Sequence, residues 1–131
     1  MPKPKKIYLI DGSSYIFRAF FGLRQQLATS KGFPTNALYG FINMLQKVIR
    51  VEKPDYLVVA FDSPDKTFRH KIYPDYKANR DAPPEELSKQ FPYFEPIVEA
   101  YGLSSIRRPG FEADDIIGTL AKKGAKEGLD V

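Results

Sequence analysis

The stretch YLVVAFD, residues 56–62, decides the fold. It is short and continuously apolar, and it is bounded by Pro54 on one side and Asp62 on the other. That combination reads as a strand buried on both faces, the kind found in parallel sheets. A similar run, KIYLI at residues 6–10, stops at Asp11-Gly12, and LSSI at residues 103–106 offers a third, shorter strand. Helical patterns fall between them. SSYIFRAFFGL, with a serine as candidate cap, follows the first strand. From Asn36, the expected cap of the next helix, Leu38, Phe41, Ile42, Leu45, Val48 and Ile49 recur at helical spacing. Phe91, Phe94, Ile97, Val98 and Tyr101 trace one more face, which Pro92 and Pro96 should kink or divide into two short helices. A last helix begins near Glu112. Strand and helix in alternation predict an α/β fold, a mostly parallel sheet with helices on both faces, in one domain over residues 1–131.

Bulk properties narrow the function. Hydrophobic residues make up 43% of the chain, enough to fold around a core. There is no cysteine, which excludes a disulfide framework and a thiolate zinc site. No apolar run approaches the ~20 residues of a membrane span, and Asp11 interrupts the first one too early for a signal peptide. A cytoplasmic protein is the expectation. The net charge is +4, and the segment KTFRHKIYPDYKANR, residues 66–80, carries +4 by itself. Lys66, Arg69, Lys71, Lys77 and Arg80 alternate there with Phe68, Tyr73 and Tyr76. Basic residues interleaved with aromatics suit a phosphate backbone and the faces of unpaired bases. A solvated loop with packed tyrosines is the plainer reading of the same residues.

Acids are focused as well. Asp11 ends the first strand and Asp62 the second, and in a parallel sheet both emerge at the carboxyl edge where ligands bind. Either alone would be read as a turn former or helix cap. GFEADDIIGTL, residues 110–120, adds Glu112, Asp114 and Asp115 at the start of a helix. The helix dipole favours such acids by roughly 0.3–1 kcal/mol each, while their mutual repulsion opposes it. A divalent cation removes that conflict. Mg²⁺ prefers carboxylate and water oxygens, and two such ions about 4 Å apart can clamp the attacking and leaving oxygens of a phosphodiester. An acid bowl beside a basic arm therefore points to a metal-dependent nuclease. His70, the lone histidine, is not needed as a base in such chemistry.

LIDGSSYIFRAFFG, VVAFDSPDKTFRHKIYPDYKANR and GFEADDIIGTLA together resemble the 5′-nuclease domain of bacterial DNA polymerase I, within the flap endonuclease superfamily. The resemblance implies a PIN-like, resolvase-like fold with carboxylates binding two Mg²⁺ or Mn²⁺ ions. It implies cleavage of DNA at 5′ ends and flaps, RNA primer–DNA hybrids included, by a monomer with a polymerase domain in the same full-length chain. By position it implies Asp11, Asp62, Glu112, Asp114 and Asp115 as metal ligands. It places a helical arch at about residues 66–84, with Lys77 and Arg80 catalytic at the scissile phosphate and Tyr76 stacking on a base. Arg69, Lys66 and Lys71 would contact DNA in the same segment. It also implies that later strands, further aspartates and a helical DNA-binding element lie beyond Val131. A non-catalytic module that holds branched DNA is the alternative, and a phosphohydrolase with Asp11 as nucleophile a more distant one.

Four further features have plain readings. Gly12, Ser13 and Ser14 could cradle a phosphate but also suit a turn and helix cap. Gly32-Phe33-Pro34 reads as a turn rather than a wedge against a base pair. Phe17, Phe20, Phe21 and Tyr39 are expected in the core. Lys3, Lys5 and Lys6 are a solvated amino terminus.

Overall fold

The computed structural model describes residues 3–22, 27–63 and 84–131. Strands β1 (Ile7–Asp11), β2 (Tyr56–Phe61) and β3 (Ser104–Arg107) form a parallel sheet in the order β1-β2-β3. The register pairs Asp11 with Ala60 and Phe61 with Arg107, so the carboxyl ends of all three strands share one edge. β1 and β3 each lie one residue later than their apolar runs suggest, because pairing with β2 rather than composition defines their ends.

Strand alternation sorts β2 between two cores. Leu57, Val59 and Phe61 join a cluster with Ile16 of α1 (Gly12–Gly22), Phe41 and Leu45 of α2 (Asn36–Lys47), and Phe94 and Val98 of α4 (Phe94–Ala100). Ala60 points the other way, onto Ala113 and Ile116 of α5 (Ala113–Lys126). Both faces of the sheet are thus covered. On the larger face the Phe41 ring meets Phe94 edge-on at 5.1 Å and lies 6.3 Å from Phe61. On the smaller face two alanines meet, which lets the start of α5 come close to the end of β2.

The proline-bearing segment divides as its sequence suggests. α3 (Glu85–Ser88) is followed by a 3₁₀ turn (Phe91–Tyr93) and then α4. Pro92 lies in the 3₁₀ turn and Pro96 in the first turn of α4, where a missing N–H costs little. α2 ends in a π-helical turn, Val48–Glu52, which Lys53 closes at φ 46°.

Two expectations are corrected. Asn36 does not cap α2. Thr35 precedes the helix without a side-chain cap, and the Leu38 N–H donates to Gln90 Oε1 at 3.0 Å. The second correction concerns the aromatic side chains. Phe20 packs against the core, but Phe17, Phe21 and Tyr39 are exposed at 39%, 61% and 53%. On α1 the buried line runs Gly12–Ile16 toward Phe20, and Phe17 and Phe21 stand one position, about 100°, off it. Gly32, at φ 87°, turns the chain so that the Thr29 N–H reaches the Phe33 carbonyl at 2.8 Å, the plain turn expected there.

Gln90 is fully buried, and its amide has three partners. Nε2 donates to Asn36 Oδ1 and to the Glu86 carbonyl, each at 3.0 Å, while Oε1 takes the Leu38 N–H. It therefore staples α3 to the open amino end of α2. Gln90→Leu should lower stability by about 1–3 kcal/mol, since it takes these bonds from the part-buried Leu38 N–H and Asn36 Oδ1. Urea unfolding followed by circular dichroism measures this, and an unchanged midpoint would mean that water replaces the amide.

Candidate metal centre

The site is built where β1 and β2 end and α5 begins. Asp11 is the last residue of β1, and the chain enters α1 immediately after it. Its Oδ1 accepts the Ser14 N–H at 3.0 Å and its Oδ2 the Ser14 hydroxyl at 2.8 Å, so Asp11 caps α1. The cap fixes the direction of the carboxylate. The Asp62 N–H donates to Ser13 Oγ at 2.9 Å, which ties the end of β2 to the start of α1. Ser13 and Ser14 are thus engaged with the two aspartates, and the Ser14 amide is taken by Asp11 rather than left open to a phosphate.

Asp62 Oδ1 accepts the Ala113 N–H at 2.7 Å and so faces the positive end of α5. Glu112 caps that helix in a capping box with Asp115, whose Oδ2 accepts the Glu112 N–H at 2.9 Å. Asp114, one position before Asp115, projects toward the strand ends. Partial desolvation, the charge of Asp11 and a hydrogen bond with it, then the charges of Asp62 and Glu112, raise its carboxyl above the usual carboxylate range. Asp114 is nevertheless exposed overall, so the crowding of like charges is the more telling cause.

Asp62 touches the start of α5 and is tied to Asp11 through Ser13 and Ser14, so the sheet edge gathers acids from residues 11 to 114. Asp115 stands apart from them. Its carboxylate is engaged in the cap, and its side chain lines a separate cleft with Arg108, Phe111 and Thr119. Among the described residues no three acids converge into a finished metal cage. The donor chemistry still fits a hard divalent cation. The donors are all carboxylate oxygens, and the chain contains no thiolate.

Lys66, Arg69, Lys71, Tyr76, Lys77 and Arg80, with the arch expected at about residues 66–84, lie outside the described residues apart from Pro84. One charged residue at this edge escaped the sequence reading. Arg107 ends β3 opposite Phe61 and forms an ion pair with Glu95 of α4. Only strand register could have revealed it, because nothing in the local sequence separates Arg107 from Arg108. No helix among the described residues is long and apolar enough to cross a membrane.

The carboxylates at two strand ends and one helix start stand at the edge where parallel sheets bind ligands. The chain belongs to the family of the 5′-3′ exonuclease N-terminal resolvase-like domain, whose pattern it matches over residues 6–131. It is 50% identical over 127 residues to a 5′-3′ exonuclease of Aquifex aeolicus, covering 97% of this chain and 44% of that protein. It is 46% identical over 131 residues to DNA polymerase I of Bacillus subtilis, covering all of this chain and 15% of that protein. The chain thus spans less than half the length of either relative. Its fold is that of a bacteriophage T5 flap endonuclease solved with DNA and metal ions, at a TM-score of 0.67 and 22% identity over 93% of this chain and 45% of that one.

Proposed function

We propose that this chain supplies the metal-binding half of a divalent-metal-dependent 5′-nuclease. It hydrolyses phosphodiester bonds at the 5′ ends and flaps of DNA in the cytoplasm, as in primer removal, replication and repair. The observation that carries the reading is the gathering of acids at the carboxyl edge of the sheet, where Asp62 holds the Ala113 N–H and is tied to Asp11 through Ser13 and Ser14, and where their charges push the Asp114 carboxyl up. Such repulsion costs stability in the free protein and is relieved by a cation.

Asp11, Asp62, Glu112 and Asp114 would hold the metal, and Asp115 would support Glu112 through the shared cap. A bound Mg²⁺ or Mn²⁺ supplies charge neutralisation at the phosphate and a more acidic water. The protein's own residues bring the DNA to it. Lys77 and Arg80 neutralise the scissile phosphate, Tyr76 stacks on a base, and Lys66, Arg69 and Lys71 hold the backbone of a 5′ flap or an RNA primer–DNA hybrid. A second set of carboxylates for a second ion, a duplex-gripping helical element and a polymerase domain belong in this reading to a longer monomeric chain of the DNA polymerase I kind.

Cleavage of a 5′-flap DNA in Mg²⁺ or Mn²⁺ tests the proposal. This chain is compared with a fusion that continues into the remaining length of the Aquifex aeolicus relative. The fusion should cut, and Asp62→Ala within it should cut at least about 100-fold more slowly, the upper end of what loss of even an outer-sphere partner costs. A fusion that binds the flap but never cuts it would establish the branched-DNA-binding module instead.

A further inference from the structure

The outer face of α5 carries charge that the acid site does not use. From Ile116 to Lys126 the helix has three lysines and no acid. Its inner side is apolar: Ala113, Ile116 and Gly124 are buried, and Ile117 and Leu120 pack with them. A step of 100° per residue turns Gly118, Thr119, Lys122, Ala125 and Lys126 away from that side, with Lys123 on the flank, and all six are exposed. Arg108, also exposed, extends the row toward the carboxyl edge of the sheet, since it lines one cleft with Thr119. We infer that this face is a sequence-independent track for the backbone of duplex DNA, with phosphates on Arg108, Lys122, Lys123 and Lys126.

The helix dipole favours cations at its carboxyl end, which accounts for Lys123 and Lys126 in the last turn. It does not account for Lys122, which stands one turn before Lys126, where like charges repel. No acid among the described residues forms an ion pair with these three lysines. Residues 66–80 hold the whole net charge of +4, so the rest of the chain is neutral and this row is a local concentration. Bound phosphates would relieve its repulsion. Thr119 to Lys126 covers ~10 Å of helix, the axial span of about three phosphates of one strand. Glycine, threonine and alanine between the cations let a backbone come close. The row offers no bulky apolar side chain to enter a membrane, because the apolar side of α5 is committed to the sheet. A duplex lying on it would lead toward the helix start that carries Glu112 and Asp114. That DNA is the anion rests on the nuclease reading.

The test uses the 131-residue chain and a fluorescent DNA duplex closed by a hairpin loop at each end, which offers no 5′ end or flap. Binding is read by anisotropy in EDTA over a range of salt concentrations. The double variant Lys122→Gln, Lys126→Gln should bind at least about 10-fold more weakly at ~0.1 M salt. Its slope of log affinity against log salt should fall by about 1.8, since each phosphate contact contributes about 0.9. Lys122→Arg with Lys126→Arg should retain both affinity and slope. A glutamine variant that is folded by circular dichroism and keeps the wild-type slope overturns the inference. So does a variant that loses binding to phosphatidylserine vesicles or to polyglutamate while its duplex binding is unchanged, which would make the face a membrane or protein contact. The fusion assay separates this inference from its parent. A fusion that cuts no flap while the slope difference stands would sink the nuclease reading alone. Metal-dependent cutting with no slope difference would sink the track alone.

Discussion

Asp114→Asn is expected to do two opposite things. Binding of Mn²⁺, followed by its paramagnetic resonance signal, should weaken by at least about 10-fold, and cutting by the extended fusion should fall by about 100-fold or more. In the absence of metal, the same substitution should raise the melting temperature by about 2 °C, corresponding to roughly 0.5 kcal/mol once solvent screening of an exposed group is allowed for. The sign follows from linkage. Asp114 holds its proton more tightly in the folded protein than in the unfolded chain. Folding therefore gains nothing from it at low pH, and it is opposed once the pH rises through the unfolded and then the folded value. The stabilisation by Asp114→Asn should be full at neutral pH and should fade on acidification into the carboxylate range. A variant that is less stable than wild type at pH 7 without metal would mean that Asp114 makes a structural bond and is not crowded.

Gly12→Ala should be a strongly damaging single-methyl change. Gly12 is buried directly after Asp11, and a Cβ there would stand 2.7 Å from Phe61 Cε1, 2.8 Å from Val59 Cγ1 and 3.0 Å from the Ala60 carbonyl oxygen. The Phe61 ring is 2% exposed and Val59 fully buried, so neither can swing away. Overpacking of this kind costs about 2–3 kcal/mol. It would also push α1 off β2 and so part Asp11 from Asp62, which are joined through Ser13 and Ser14. Urea unfolding should show the loss of stability, and Mn²⁺ binding the loss of the site. Gly118→Ala provides the contrast. A Cβ at this exposed position in α5 meets nothing within 4 Å, so the change should stabilise by roughly 0.5–1 kcal/mol. If both substitutions behave alike, close packing is not what Gly12 provides.

The two results bear on one feature, the approach of β1, β2 and α5 at a single edge. Ala60 against Ala113 lets the helix start reach Asp62, and Gly12 lets α1 leave β1 without touching Phe61. Small residues at these crossings bring the acids together. The acids, being mutually repulsive, could not do so themselves.

What the sequence determines alone is periodic or local. The runs KIYLI and YLVVAF are too short and too uniformly apolar to be surface helices, so a covered parallel sheet follows from them. Asp11, Asp62 and the Glu112–Asp115 cluster are legible because a charge directly after a buried strand, or packed into a helix start, calls for a partner. The dividing prolines are legible because the ring removes an N–H wherever it sits. The tertiary structure decides what depends on distant partners. Gln90 caps α2 from 52 residues away, and no local pattern marks a glutamine for that work. Phe17 reads as core until the helix is rotated against the sheet, and Arg107 is ordinary until strand register sets it opposite Phe61. Asp114 and Asp115 are adjacent and chemically identical, yet one turns to Asp11 and the other to the Glu112 amide. Their divergence comes from the 100° step of a helix docked on a particular sheet edge, and no sequence states where that edge lies.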